Sequence, residues 1–131
     1  MPLHVLRQRA GAGSVLGTVS IDSGAVNVPK QMPITVDVLK TVYREAFGTT
    51  EREWVAASPY HQLDTHAAPW LGACSLFRPD KPCEQAREYA AKSRSLGIRA
   101  AVLPQAKGHG AMNSQLGIPG RYTDAVERFM A

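Results

Sequence analysis

The chain has 131 residues, of which 44% are hydrophobic and 20% are charged, a composition typical of one globular domain with a modest core. No apolar run approaches the roughly 20 residues that a membrane-spanning helix needs. Near the N-terminus the basic residues follow the short apolar part, which is the wrong order for a signal peptide. We therefore expect a single domain over residues 1–131, without a membrane span and in the cytoplasm.

A formal net charge of +4 raises the possibility of a nucleic-acid partner. Nucleic-acid binders cluster their basic residues, often between aromatic ones, whereas the arginines and lysines here are spread along the whole chain. This distribution favours solvated helix faces, so we expect no nucleic-acid partner.

The chain contains only two cysteines, Cys74 and Cys83, too few for a disulfide framework. Cys74 falls within an apolar run and is interpreted as a small buried hydrophobic residue. Cys83 lies in the first turn of a predicted helix, where a reactive thiolate is the less favoured alternative.

Hydrophobic periodicity and turn residues divide the chain into alternating strands and helices. The predicted elements are a helix end at 3–10, a strand at Val15–Ile21, a loop at 22–33, helices at 36–47 and 51–57, a loop at 60–69, a strand at 70–76, a helix at 82–96, a strand at 98–103, a loop at 104–121 and a helix at 122–130. Thr35 is the expected N-cap of the first long helix, and Gly48 and Gly97 are expected to end helices. Short connections between such elements imply right-handed crossovers. The sequence therefore predicts an α/β fold with a three-stranded parallel sheet flanked by helices.

Two polar residues follow predicted strands, where the functional groups of open α/β sheets collect. Asp80 opens the helix after the second strand, and His109 stands between two glycines after the third. A carboxylate that accepts a hydrogen bond from one imidazole nitrogen leaves the other nitrogen free to act as a base. Asp80 and His109 are therefore the candidate acid and base. The alternatives are a helix N-cap or a first-turn carboxylate for Asp80 and an ordinary exposed histidine for His109.

Other polar residues give weaker signals. His61 and His66 flank Asp64, but no further ligands have a compatible spacing, so no metal and no cofactor are expected. A nucleophile elbow, G-x-S-x-G between a strand and a helix, is absent. Ser14 precedes a strand instead of following one, and Ser14 and Ser23 are both poor nucleophile candidates.

An ordered set of segments resembles the C-terminal half of an α/β-hydrolase of the serine esterase and lipase type, in the carboxylesterase-like branch. The segments cover nearly the whole chain: V-L-G-T-V-S-I-D-S-G (15–24), A-F-G-T-T-E-R-E-W-V-A-A-S-P (46–59), A-P-W-L-G-A-C-S (68–75), R-P-D-K-P-C-E-Q-A (78–86), V-L-P-Q-A-K-G-H-G-A-M-N (102–113) and Y-T-D-A-V-E-R-F (122–129).

The resemblance implies a triad acid at Asp80, a triad base at His109 and a helical, cap-like insertion at 34–57. Within that insertion, Tyr43, Phe47 and Trp54 would line an acyl site. The elbow that carries the serine would lie upstream of residue 1, so the chain is expected to be inactive by itself. Its substrate, once a serine-bearing half completes the site, would be a small-molecule ester.

The strand at Val15–Ile21 would then lack a neighbour on one side, and an open apolar edge favours association. We therefore expect a homo-oligomer formed through this edge. A non-catalytic interaction or structural module that uses the same edge is the alternative function, and a nucleic-acid binder is the least favoured.

Overall fold

The computed structural model describes residues 15–131; the predicted helix end at 3–10 and Ser14 lie outside the described residues. The elements are, in order, β1 (Thr18–Ile21), α1 (Val28–Gln31), a 3-10 turn (Met32–Ile34), α2 (Asp37–Phe47), α3 (Glu51–Ala57), α4 (Pro59–Gln62), β2 (Trp70–Ser75), α5 (Pro82–Ser95), β3 (Ala100–Gln105), α6 (His109–Ser114) and α7 (Arg121–Met130).

The three strands form one parallel sheet in the order β1-β2-β3. Thr18 is paired with Trp70, which in turn is paired with Ala100, so all three strands run in register towards the same carboxyl edge. This architecture confirms the predicted α/β class and the three-stranded parallel sheet flanked by helices. None of the helices within residues 15–131 combines the length and hydrophobicity that crossing a bilayer would require.

The central strand β2 is buried along its whole length, and its side chains alternate between two cores. Trp70 and Cys74 face α5, where Trp70 packs on Tyr89 with ring centroids 4.5 Å apart. Leu71 and Ala73 face the opposite layer, which α6 and α7 supply. This alternation is the period of two that a strand imposes on its side chains.

Three predicted loops contain short helices. Asn27 accepts a hydrogen bond from the N–H of Lys30 and begins α1 within the predicted loop 22–33. Residues 60–69 include the end of α4, and residues 104–121 include α6. In α1 and α4 a proline stands at the start of the helix, a position where its missing N–H costs nothing. The prolines that indicated loops are therefore helix starts.

Helix α2 lies at the protein surface and buries none of its residues. Its N-cap is Val36 rather than Thr35, because the Thr35 hydroxyl instead donates to the carbonyl of Gln31. Gly48 ends the helix as predicted, with φ of 84°, in the left-handed region that favours glycine. On its apolar side Val38 is 82% exposed and Val42 is 55% exposed, so this side is largely uncovered within residues 15–131.

Cys74 and Cys83 form a disulfide, with their Cα atoms 5.3 Å apart. The bridge joins the end of β2 to the first turn of α5 and closes the intervening loop. Cys74 is buried as expected, but neither cysteine is a free thiol, so the alternative of a reactive thiolate at Cys83 is wrong. The strand β2, the short loop and the helix α5 bring these two positions close. The number of cysteines, on which the sequence argument relied, does not determine this proximity.

Candidate active site

The carboxyl edge of the sheet begins with Asp22, the residue directly after β1. Its φ is 52°, a left-handed conformation that aspartate tolerates better than most residues. Its side chain is fully buried. One carboxylate oxygen, Oδ1, accepts from the N–H of Ser75 at the end of β2, at 2.7 Å. The neighbouring strand thus fixes the direction in which the carboxylate points.

His109 reaches the same edge from the loop after β3. Ser75 holds this loop because its hydroxyl donates to the carbonyl of Lys107 at 2.6 Å. His109 is the first residue of α6, and its Nδ1 lies 2.7 Å from Oδ2 of Asp22. The imidazole is 61% exposed.

An ionised carboxylate can only accept hydrogen bonds, so in this pair Nδ1 of His109 donates to Asp22. When the ring is neutral, its other nitrogen, Nε2, is then an acceptor. Within residues 15–131 no protein group hydrogen bonds with Nε2. The arrangement is that of an oriented general base facing solvent.

Asp80 does not contact His109, contrary to the predicted pairing. Its carboxylate is held by Arg78, with Nε of Arg78 2.9 Å from Oδ1, and by Gln31, whose amide donates to Oδ2 at 3.1 Å. The two side chains Arg78 and Asp80 form an ion pair that leaves Asp80 without a free edge for the imidazole. Asp22 is the carboxylate that serves His109.

Arg78 connects the two carboxylates. Its Nη1 lies 3.2 Å from Oδ2 of Asp22, the same oxygen that His109 contacts. Burial by itself would raise the pKa of Asp22, but the hydrogen bonds from the Ser75 N–H, from His109 and from Arg78 outweigh it and hold that pKa below its ordinary value. Asp22 is therefore ionised at neutral pH although no solvent reaches it.

The polar network continues inward from Asp80. The side chain of Gln85 donates to that of Gln31 at 2.7 Å and accepts from the N–H of Asn27 at 3.0 Å. Gln31 and Gln85 are both buried. Each is satisfied by the next, which is the condition under which buried amides are tolerated. The site is therefore attached to α1 and α5 as well as to the sheet.

Of the predicted acyl-site residues, Tyr43 lies beside this edge. Its hydroxyl lies beside Gly24, where an added Cβ would meet it at 3.1 Å and Arg78 at 2.7 Å. Phe47 packs edge-on against Tyr43, with ring centroids 5.6 Å apart. The indole N–H of Trp54 donates to the carbonyl of Gly48 at 2.9 Å, so Trp54 holds the turn between α2 and α3.

The other predicted histidines stay apart from the edge. Nδ1 of His61 lies 2.8 Å from the hydroxyl of Ser58, the buried N-cap of α4. His66 is near Asp64 in an exposed turn. Among residues 15–131 no group of three or more His, Cys, Asp or Glu side chains has an arrangement suited to a metal ion.

The hydroxyls nearest in sequence to the site already have other roles. Ser75 donates to the Lys107 carbonyl, and Ser23 accepts from the N–H of Ala25. Neither hydrogen bonds with His109. Both cysteines are in the disulfide, so they offer no thiolate. Within residues 15–131 the side-chain hydrogen bond of His109 is therefore to Asp22, and no hydroxyl or thiol is paired with its ring.

Sequence reasoning missed Asp22 and Arg78, although signals for both were present. Asp22 follows an apolar strand directly, the same signal that singled out Asp80. Arg78 precedes Asp80 by two residues, a spacing that lets a long basic side chain turn back onto the carboxylate.

Comparison with known proteins adds no family to this geometry. No protein-family model matches the chain, no curated protein is significantly similar to it in sequence, and no solved structure is significantly similar to it in fold.

Proposed function

We propose that this chain carries the acid–base part of a serine-hydrolase-type site for carboxylic esters, with His109 as the base and Asp22 as its carboxylate partner. The observation that carries the proposal is the buried, ionised carboxylate at 2.7 Å from Nδ1 of an imidazole whose Nε2 faces solvent. The resemblance to the C-terminal half of an α/β-hydrolase supports the choice of substrate class. The sequence predicted Asp80 as the acid, and we assign that role to Asp22 instead.

In the proposed reaction, Nε2 of His109 accepts the proton of a hydroxyl as its oxygen attacks the ester carbonyl, forming a tetrahedral oxyanion. Collapse of that intermediate breaks the bond to the alcohol, and the imidazolium returns the proton to the departing oxygen. Water then attacks the acyl group by the same two proton transfers. Asp22 keeps the imidazole in one tautomer and stabilises its protonated form throughout.

The hydroxyl would be supplied from outside residues 15–131, and the outer edge of β1, which no strand of those residues covers, offers a place for it. Neighbouring strands lie about 4.8 Å apart, so a parallel strand added beside β1 would end next to Asp22. The residue after such a strand would then stand at the carboxyl edge that holds His109. This is the arrangement expected if a serine-bearing half completes the site.

A direct test does not require the missing half. A small alcohol in the buffer can act as the acyl acceptor for an activated aryl ester, and a positioned base accelerates that transfer. We expect a rate above buffer that is lost in His109→Gln and strongly reduced in Asp22→Asn. His61→Gln is the matched control and should retain the rate, because His61 hydrogen bonds with Ser58 and not with a carboxylate. Equal rates for the wild type and His109→Gln would contradict the proposal.

Treatment with a fluorophosphonate, followed by intact-mass measurement, locates the nucleophile. No adduct is expected on the chain alone. A stoichiometric adduct that disappears in His109→Gln would show that the nucleophile lies within the chain, outside the described residues.

The second candidate function is a non-catalytic interaction module. Two observations favour it: β1 has a free edge, and the apolar side of α2 is exposed within residues 15–131. Under this alternative His109→Gln would leave association in sedimentation unchanged and no acyl transfer would be detected. A homo-oligomer formed through Val15–Ile21 fits either function, and a well-folded monomer at tens of micromolar would count against it.

A further inference from the structure

Arg78 lies between the two carboxylates of the carboxyl edge, and its side chain is only 17% exposed. Its Nε faces Oδ1 of Asp80, while Nη1 faces Oδ2 of Asp22. The planar guanidinium can hold both at once because its donors point in fixed, different directions. A lysine ammonium is a compact point charge without such a fork and would not reproduce these contacts.

Arg78 also holds the main chain of Asp22. Its Nη1 donates to the Asp22 carbonyl oxygen at 2.5 Å. Asp22 has φ of 52°, a left-handed conformation that costs free energy for any residue other than glycine. Such a conformation persists only where the surroundings fix it. One side chain therefore fixes both the backbone and the carboxylate of the residue that orients His109.

Asp80 and Gly24 in turn fix Arg78. The Asp80 carboxylate receives the guanidinium along one edge, and Gln31 donates to Asp80 from behind. Gly24 leaves the space that the guanidinium occupies, since a Cβ there would approach Nη2 to 2.7 Å. These contacts hold the guanidinium where it faces Asp22.

From this geometry, and resting on the proposed acid–base function, we propose that Arg78 is a positioning residue for the Asp22–His109 pair and that Asp80 is the counterion that aims it. Asp80 then acts through Arg78 and does not contact the imidazole. Asp80, after β2, positions the guanidinium of Arg78, and Asp22, after β1, positions the imidazole of His109.

The test is a titration of the Asp22 carboxyl carbon by NMR in the full chain. The groups that face Asp22 are His109 on α6, Arg78 with Asp80 from the loop after β2, and Tyr122 on α7, whose pKa is raised by burial and by the charge of Asp22. Tyr43 on α2 faces Arg78 and Asp80, and burial raises its pKa.

Arg78→Gln keeps a hydrogen-bond donor but removes the charge, so the Asp22 transition should move to higher pH than in the wild type. Arg78→Lys keeps the charge and should leave the transition near that of the wild type. In the acyl-transfer assay, both variants should lose most of the His109-dependent rate, because neither restores the fork that orients Asp22. A folded Arg78→Gln with an unshifted transition, or an Arg78→Lys that behaves as the wild type in both measurements, would overturn the proposal.

The wild type supplies a measurement that does not depend on either variant folding. The guanidinium nitrogen signals of Arg78 should shift with the same midpoint as the Asp22 carboxyl carbon, and a separate midpoint would overturn the coupling. Since the titration needs no catalysis, its result is independent of the proposed function. Coupled titration without any acyl transfer would reject the ester chemistry alone, whereas acyl transfer with uncoupled titration would reject the role of Arg78.

Discussion

Most proteins bury apolar side chains and expose charged ones. The carboxyl edge departs from this rule by burying charged groups, and helix α2 departs from it by exposing apolar ones. At the carboxyl edge, charged and polar groups are buried, and Asp22, Arg78 and Asp80 satisfy one another. On α2, apolar side chains such as Val38 are largely exposed within residues 15–131. A network of buried charges stabilises a structure only when each charge is paired, and at the carboxyl edge each of these three side chains is paired within the network. The apolar side of α2 gains stability only when something else covers it.

The largest effect is expected from Asp22→Ala. Removing this carboxylate leaves the Ser75 N–H unpaired and Arg78 with one counterion fewer, and alanine is strained in the left-handed conformation. We expect the free energy of unfolding to fall by about 3 kcal/mol, measured by urea denaturation. Asp124→Ala, on the exposed side of α7, is the control and should change it far less. Similar losses for the two variants would mean that the edge is no more interdependent than the surface.

The lowered pKa of Asp22 also predicts how the free energy of unfolding depends on pH. Its folded pKa lies below the ordinary value of 3.8, so its contribution is fully present above pH values near 3.8. That contribution is lost as the pH falls through the lower, folded pKa. As the pH is lowered, the free energy of unfolding should therefore fall more steeply in the wild type than in Asp22→Asn. Parallel curves would contradict the lowered pKa.

The next effect in size concerns the disulfide that closes the loop carrying Arg78 and Asp80. In the chain-entropy model, a bridge that closes a loop of about ten residues contributes about 2.5 kcal/mol. Cys74→Ala/Cys83→Ala should lose this amount in urea denaturation, and a dithiol reductant should bring the wild type to the same value. The double variant is its own control, since the reductant should leave it unchanged.

A smaller effect is expected from Gly24→Ala. The added methyl meets the guanidinium of Arg78 at 2.7 Å and the hydroxyl of Tyr43 at 3.1 Å, so the network must shift. We expect a loss of about 1–2 kcal/mol in thermal unfolding, within the range of overpacking. Gly110→Ala is the matched control because a Cβ at Gly110 meets nothing within 4 Å. A neutral Gly24→Ala would mean that the network is looser than the distances suggest.

The smallest effect tests α2 itself. Val38→Thr should change the free energy of unfolding by less than about 0.5 kcal/mol, because the side chain is 82% exposed. Val28→Thr places the same hydroxyl in a fully buried position and should cost about 1–3 kcal/mol. A comparable loss at Val38 that grows with protein concentration would show that this side is covered in solution by a second copy.

Periodicity was a good guide to the sheet and to the long helices. The strands of the sheet, the helix before Gly97 and the inward-facing Ala86 all follow from local patterns. The site was predicted less well. His109 was singled out from its position after a strand, but its carboxylate partner is Asp22, whereas the carboxylate of Asp80 is taken up by Arg78 and Gln31. Local spacing cannot decide that, because Asp22 and Arg78 are 56 residues apart in sequence.

The disulfide bears on the predicted compartment. Disulfides persist in oxidising environments and are rare in the cytosol, where thiols are kept reduced. The bridge between Cys74 and Cys83 is therefore a reason to test the compartment directly, and the cytoplasmic location stays a prediction.

The direction of β1 limits what a second copy of the chain can contribute. Two copies related by a two-fold axis would pair their β1 strands antiparallel, so the start of one strand would lie beside Asp22 of the other. Such a dimer would cover the open edge and yet bring no strand end to His109. A parallel neighbour requires a head-to-tail arrangement or a different segment of chain. Closing the edge and completing the site are thus separate events, and symmetry decides which of them an assembly achieves.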